Sequence, residues 1–430
     1  MSNNPKGIIF YFNFIIMTLQ TKDTWQHINT CDVLLVRHDN DCGYTFHNKA
    51  YAQIIDSFGE LCTKRGLIIG SVATPYSKLV GKRAFHSPVS YNQSLSIICI
   101  FGKIIRLIKG NNIGTEWIES HLLNLWCKIL EKTSPKCVIG IQPDVFLCRA
   151  GKIKNIPIYD LQHGTIVDDH PWYGKNYRIA TPIQNLPDGF LCWDDQSAAT
   201  ISKWAYNKGI RVIKIGNPWF LRFFRIHPDD LLVNEALVNC IITDDNRPCI
   251  LVSLEDGFAA RWYPDKKFNG IMFEALEKVI LDTVELYNWV IRLHPIQIRG
   301  KERDMVLNYL RIAFGAEKTQ KWLLASEMPL PVLLSKTDLH ITGSSTVVIE
   351  SALMGIRSGM LNQTLCLEGK TQSYYTYERN RGMAEVIPQN PDIIKQWIID
   401  TLAKGRGEST LEDTRQNLDA FIDEIAGMKS

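Results

Sequence analysis

Short runs of apolar, mostly β-branched residues, each bounded by polar turns, recur along this chain with longer stretches of helical periodicity between them. Val33-Leu34-Leu35-Val36, Leu67-Ile68-Ile69-Gly70 and Cys137-Val138-Ile139-Gly140 are the first three. Ahead of the third, Thr115 to Glu131 sets Trp117, Ile118, Leu122, Trp126, Ile129 and Leu130 at helical spacing. A helix feeding a parallel strand is the natural reading, and its repetition is the signature of an α/β fold.

The rhythm runs through the chain twice. Ile156-Pro157-Ile158-Tyr159, the run Gly189 to Trp193 and the run Val212 to Gly216 complete a first Rossmann-like domain over 31–225, with a helical stretch from Asp195 to Lys208. A mixed, helix-like connection over 226–246 follows. A second Rossmann-like domain over 247–390 then opens at Cys249-Ile250-Leu251-Val252-Ser253, with a helix near 268–286 and strands at Trp289 to Leu293 and Leu339 to Thr342. Residues 391–430 read as two amphipathic helices, and 1–30 as an extension. A length of 430 residues suits two cores rather than one. Tandem domains of this kind predict a GT-B-like arrangement, facing each other across a cleft lined by the C-terminal ends of their strands. A nucleotide-carrying donor in the second domain and an acceptor in the first would use that geometry.

Composition excludes several classes. With 45% hydrophobic and 22% charged residues the chain is globular. The balance of 48 Lys and Arg against 45 Asp and Glu lacks the basic excess of a nucleic-acid binder. The 11 cysteines sit mostly in apolar runs without a CxxC pair, and read as reduced thiols of a cytoplasmic protein. The apolar run from Gly7 to Met17 is shorter than the roughly 20 residues of a membrane span, and no small-residue cleavage site follows it. It is either upstream of a true start at Met17 or a peripheral contact with the inner face of the plasma membrane.

Polar residues gather where the apolar runs end. Leu339-His340-Ile341-Thr342-Gly343-Ser344-Ser345-Thr346 leads from a strand through a hydroxyl-rich turn into a helix carrying Glu350. Free backbone N–H groups there suit a phosphate, Glu350 would accept ribose hydroxyls, and the plainer alternative is that Ser344 and Ser345 cap the helix. Arg292-Leu293-His294-Pro295 ends a strand in a histidine suited to a donor phosphate, with Arg292 either a ligand cation or an ion-pair partner. Glu255-Asp256-Gly257 ends another, and either carboxylate is a candidate general base.

In the first domain, Gln162-His163-Gly164 follows a strand, with His163 and Gln162 placed to orient an acceptor or a phosphate. Asp168, Asp169 and His170 precede Pro171-Trp172-Tyr173-Gly174, which reads as a mobile loop with an aromatic for a sugar ring. Asp39 and Asp41, after the first strand, are further base candidates. Asp194-Asp195 comes nearest to a metal-binding carboxylate pair, but no set of residues has metal-ligand spacing and metal-independent chemistry is expected, with no cofactor beyond a nucleotide-sugar substrate.

Taken in order, Leu161-Gln162-His163-Gly164, Glu255-Asp256-Gly257, His294-Pro295 and Ser344-Ser345 resemble a known set. The last three look like the acidic-acidic-Gly, His-Pro and Ser-Ser/Thr motifs of bacterial sialyltransferases and related capsule polymerases of GT-B fold. The resemblance implies a general base at Glu255 or Asp256 and cytidine monophosphate binding by His294, Ser344 and Ser345. The Gln-His-Gly element and the Thr-Gly-Ser-Ser stretch also resemble glycerol-phosphate and Kdo-type capsule transferases. The expected activity is transfer of a sugar from a nucleotide-activated donor, with a CMP-sugar favoured, to a capsule or lipopolysaccharide glycan that is free or lipid-linked. The alternatives are a nucleotide-sugar 2-epimerase and a non-catalytic carbohydrate-binding or assembly protein of the same fold.

Overall fold

The computed structural model describes residues 22–168, 170, 172–224, 228–242, 246–262, 270–366, 369 and 371–428. The apolar run at 7–17, Asp169 and Pro171 lie outside them. The chain divides into two compact units, one of residues up to Trp219 together with those from Arg415 onward, the other from Phe220 to Thr414.

Unit 1 is built on a six-stranded parallel sheet in the order β4-β1-β5-β6-β7-β8. Its strands are β1 (Val33–Val36), β4 (Ile69–Val72), β5 (Cys137–Gly140), β6 (Ile158–Leu161), β7 (Gly189–Cys192) and β8 (Arg211–Lys214), while β2 (Tyr44–Phe46) and β3 (Lys49–Tyr51) form a separate antiparallel hairpin. Strands β1, β5, β6 and β7 are buried along their whole length. This explains why their sequences are apolar throughout rather than alternating. Five helices matter here: α1 (Gln53–Lys64), α2 (Asn92–Lys109), α3 (Asn111–Thr133), α4 (Val145–Lys154) and α5 (Asp195–Ala205). Asp144 caps α4 through the N–H groups of Phe146 and Leu147, and Asn155 ends it in the left-handed conformation. One core joins Leu34, Val36, Val138 and Ile158 to Trp126, Ile129 and Leu130 of α3. A second joins Phe190 and Cys192 to Ile201 and Trp204 of α5.

Unit 2 carries a five-stranded parallel sheet in the order β10-β9-β11-β12-β13. These strands are β9 (Cys249–Ser253), β10 (Asn288–Arg292), β11 (Leu339–Thr342), β12 (Arg357–Met360) and β13 (Ala384–Val386). Its helices include α6 (Glu274–Asp282), α7 (Pro295–Arg299), α8 (Arg303–Phe314), α9 (Ala316–Glu327), α10 (Val347–Leu353) and α11 (Pro391–Lys404). The buried imidazole of His340 bridges the sheet, 2.9 Å from Ser358 Oγ on β12 and 3.1 Å from Ser253 Oγ on β9. Burial pushes that imidazole down to about 3, so it is neutral.

The two helices expected over 391–430 divide between the units. Helix α11 packs against α6, and Lys395 Nζ lies 2.7 Å from Asp282. Helix α12 (Leu411–Gly427) belongs from Arg415 onward to unit 1. There Arg211 grips Glu424 with two hydrogen bonds of 2.6 and 2.9 Å, Arg65 pairs with Asp419 at 3.0 Å, and Phe421 meets Tyr159 edge to face at 5.1 Å.

Candidate functional site

In unit 2 the three segments singled out in the sequence follow three adjacent strands. Because β10, β9 and β11 are parallel neighbours, the loops after Arg292, Ser253 and Thr342 leave the sheet at one edge. The hydroxyl of Thr342 donates to the Ser253 carbonyl at 2.9 Å and fastens two of those strand ends together.

Two residues tie the loops. Glu255 is buried, and its carboxylate accepts the backbone N–H of Ser344. A Cβ at Gly343 would run into that carboxylate, so glycine is required there for the approach. Gln297, also buried, donates from Nε2 to the Glu255 carbonyl at 2.9 Å and accepts the His294 N–H at 2.9 Å. Gly257 takes a positive φ of 60°, which turns the chain sharply after Asp256.

This wiring separates the two carboxylate candidates. Glu255 holds a loop, whereas Asp256 is 38% exposed and lies 3.9 Å from Nε2 of His294, itself 36% exposed. The Nδ1 atom of His294 accepts the Ile296 N–H at 3.3 Å, which leaves the proton of the neutral ring on Nε2, toward Asp256. Burial holds this imidazole below its ordinary value; Arg261 adds to the effect, while Asp256 and Glu302 oppose it. Arg261, which the sequence reading passed over, reaches both carboxylates, at 3.3 Å from Glu255 and 3.9 Å from Asp256. Its only sequence signal is a cation one turn beyond an acidic pair.

Other expectations for unit 2 change. The hydroxyl-rich turn was read as offering free N–H groups, but that of Ser344 goes to Glu255 and that of Ser345 to Thr342 Oγ1 at 3.3 Å. Ser345 Oγ accepts the Val347 N–H at 3.4 Å, while the helix's N-cap residue is Thr346, which is exposed and makes no side-chain capping bond. Arg292 is anchored by the carbonyls of Ala325 and Met328 at 3.2 and 2.9 Å, at the C-terminal end of α9. Burial pushes Glu350 up to about 7 against the pull of Arg292, so much of it is protonated at neutral pH. Pro295 is exposed at the first position of α7.

Unit 1 has its own polar edge, where β1 and β6 end. His38 and His163 lie with ring centroids 6.1 Å apart. Asn40 N–H donates to His38 Nδ1 at 3.3 Å. Burial, reinforced by His163, holds His38 below its ordinary value, with Asp39 and Asp41 opposing. Behind them Asp41 is buried and accepts the N–H groups of Ile54 and Ile55, each at 3.0 Å, at the start of α1. Its carboxyl is raised by burial; His163 is the foremost influence lowering it, ahead of those N–H groups and Arg37. Arg37 pairs with Asp56 at 3.1 Å, both side chains almost wholly buried. Burial outweighs that cation and lifts Asp56 to about 7.

Several first-unit candidates have structural positions instead. Gln162 is buried, accepting the Trp193 N–H at 2.7 Å and donating to the Gly164 carbonyl and Ser197 Oγ at 2.9 Å. It shapes the turn that displays His163, and Gly164 supplies that turn's positive φ of 85°. Asp168 pairs with Lys203 at 2.6 Å, and Asp39 is exposed. Trp172 is not free for a sugar: its Nε1 donates to Asp160 at 2.9 Å and Arg178 lies over its ring at 3.9 Å. His170 Nδ1 accepts the Trp172 N–H at 3.0 Å. Asp194 caps α5 while Asp195 pairs with Lys214 at 2.7 Å, so the two carboxylates diverge. Among the described residues no group of three His, Cys, Asp or Glu side chains is placed to hold a metal ion.

No protein-family model matches the chain, and no curated protein matches it in sequence. Solved structures do. The chain is similar to the UDP-GlcNAc 2-epimerase of Neisseria meningitidis bound to UDP-GlcNAc, with a TM-score of 0.51 and 12% identity over 92% of this chain and 98% of that one. A putative UDP-N-acetylglucosamine 2-epimerase from Listeria monocytogenes gives 0.54 and 12% over 93% and 98%. A variant of the wall teichoic acid polymerase TagF soaked with CDPG gives 0.53 and 10% over 97% and 98%. With two Rossmann-like units in one chain, matched along nearly their whole length, the fold is of the GT-B class.

Proposed function

We propose that the chain is a glycosyltransferase-type enzyme that takes a cytidine-nucleotide-activated donor and extends a bacterial surface glycan. The observation that carries this reading is the joining of the Asp256, His294 and Ser344 loops at one edge of the unit 2 sheet. These are the segments that resemble the donor-binding motifs of capsule and sialic acid transferases. The similarity to a polymerase soaked with CDPG supports the cytidine preference.

On this reading His294 donates from Nε2 to a donor phosphate, and the departing nucleotide's charge grows against that hydrogen bond. Ser344, Ser345 and Thr346 supply hydroxyls, while Glu255 positions them rather than acting as the base. In unit 1 the imidazole of His163, with Asp41 beside it, is the candidate for accepting a proton from a hydroxyl. Asp256 is the alternative base. The chemistry needs no metal. A peripheral contact with the inner face of the plasma membrane would bring a lipid-linked acceptor within reach.

A second reading, a nucleotide-sugar 2-epimerase, is favoured by the equal fit to the two epimerase structures. Thermal denaturation of the purified protein with CMP, CDP, UDP, GDP or ADP separates the two, because a ligand that binds only the folded state raises its melting temperature. Stabilisation by CMP supports a sialyl- or Kdo-type donor and by CDP a polyol phosphate donor. UDP alone would favour the epimerase, and no response to any nucleotide would overturn both.

A further inference from the structure

Helix α2 has two apolar faces, and among the described residues it is the inner one that packs on a neighbouring helix. Its inner face packs on α3 with Gly102 and Gly114 at the crossing: a Cβ at Gly102 would overlap Ile118, and one at Gly114 would overlap Arg106. Glycine at both positions lets the two helices approach closely. Ser96, Ile98 and Gly102 are buried on that side.

The outer face is largely exposed, although Phe101 at its margin meets Trp117 of α3 with ring centroids 6.4 Å apart. Ile97, Phe101, Ile104 and Ile108 follow one another at spacings of three or four, with Leu107 beside them, and form a stripe along the helix. Ile97 is 54% exposed, Phe101 53%, Ile104 44%, Leu107 88% and Ile108 74%. Isoleucine is a poorer helix former than alanine, lysine or glutamate, so a water-facing stripe of isoleucines costs helix stability and brings no packing in return. Scattered apolar residues on a surface are ordinary, whereas a continuous stripe marks something that covers it.

The charges on α2 say what. From Asn92 to Lys109 the helix has no Asp or Glu and carries Lys103, Arg106 and Lys109. On the partner helix α3, Glu119 is turned away to Arg149 at 3.5 Å. An apolar stripe on a helix whose own charges are all cationic is complementary to a surface with an oily interior and anionic headgroups. At 18 residues with three cations the helix is too short and too charged to cross a bilayer. No helix among the described residues is long and apolar enough to do so.

We infer that the outer face of α2 lies in the interface of an anionic lipid bilayer, with Leu107 and Ile108 in the acyl boundary and Lys103 and Lys109 at the headgroups. This is a different contact from the run at 7–17. That run precedes Asp23, whose carboxylate accepts the N–H groups of Gln93 and Ser94 at 2.7 and 2.9 Å and caps α2. The inference does not rest on the enzymatic reading, and its test reads binding rather than turnover.

The full chain is floated with vesicles of phosphatidylglycerol and phosphatidylcholine, and with vesicles of phosphatidylcholine alone. It is expected to bind the anionic vesicles preferentially. Leu107→Glu with Ile108→Glu should lower the bound fraction roughly tenfold at unchanged melting temperature. Lys103→Ala with Lys109→Ala should weaken binding and flatten its salt dependence. Wild-type binding by the glutamate variant would overturn the inference and move any contact to residues 7–17 or elsewhere. So would failure of the wild type to bind, together with self-association in gel filtration that the glutamate variant abolishes, since the stripe would then be covered by a second copy.

Discussion

At the edge of the first sheet the carboxylates of Asp41 and Asp56 lie inside and two half-buried imidazoles lie nearer the surface. Asp41 and Asp56 are buried, held by the start of α1 and by Arg37, with His38 and His163 in front of them. At the edge of the second sheet one carboxylate is buried as a tie between loops, while Asp256 stands out beside His294. The same architectural rule, loops leaving parallel strands at their C-terminal ends, yields different chemistry according to which polar groups are consumed in fixing the loops. Imidazoles backed by a buried acid suit proton transfer. An imidazole whose Nε2 proton faces a partly exposed carboxylate, with an arginine at that carboxylate, suits an anionic leaving group.

The largest test of this contrast is His163→Ala, expected to lower turnover by about two to four orders of magnitude while nucleotide binding holds. If turnover survives, the base moves to Asp256 and the contrast fails. Next is Arg37→Met, expected to destabilise unit 1 by about 3 kcal/mol in urea titrations monitored there. That is the low end for a broken buried pair, since the orphaned Asp56 can take up a proton.

The third test concerns pH. His340 is held far below the unfolded histidine value, so the unfolded chain binds the extra proton as pH falls, and stability present at neutral pH is lost on acidification. Between pH 7 and 5 this amounts to about 2 kcal/mol for unit 2, and His340→Gln should remove that slope. The smallest effect is His294→Ala, for which calorimetry should give roughly tenfold weaker nucleotide binding, equivalent to about 1.4 kcal/mol. An equal loss from His163→Ala would erase the distinction between the edges.

Much of this could be read from the chain. Apolar runs such as Cys137 to Gly140 and Cys249 to Ser253 are central strands because a parallel strand covered on both faces has nowhere to put a polar residue. Strand β12, Arg357-Ser358-Gly359-Met360, went unread because its membership depends on its neighbours β11 and β13 rather than on its own residues. The sequence places these polar loops at strand ends, but not the direction in which their side chains point. Glu255 and Asp256 are adjacent in sequence and differ in use because the Glu255 carboxylate is engaged by the Ser344 N–H, almost 90 residues away. Gln162 and Trp172 looked like ligand contacts because their buried partners, Ser197 and Asp160, are brought to them only by the folded sheet.

The return of α12 to unit 1 carries a consequence for biosynthesis. A ribosome makes the six strands of the first sheet before it makes the second unit, yet Arg211, Arg65 and Tyr159 receive their partners Glu424, Asp419 and Phe421 only when α12, which follows the second unit, emerges. The half of the protein synthesised first is therefore the half completed last. A nascent chain halted after the second unit would hold a finished domain attached to an unfinished one, and loss of α12 should be felt first in the sheet of unit 1.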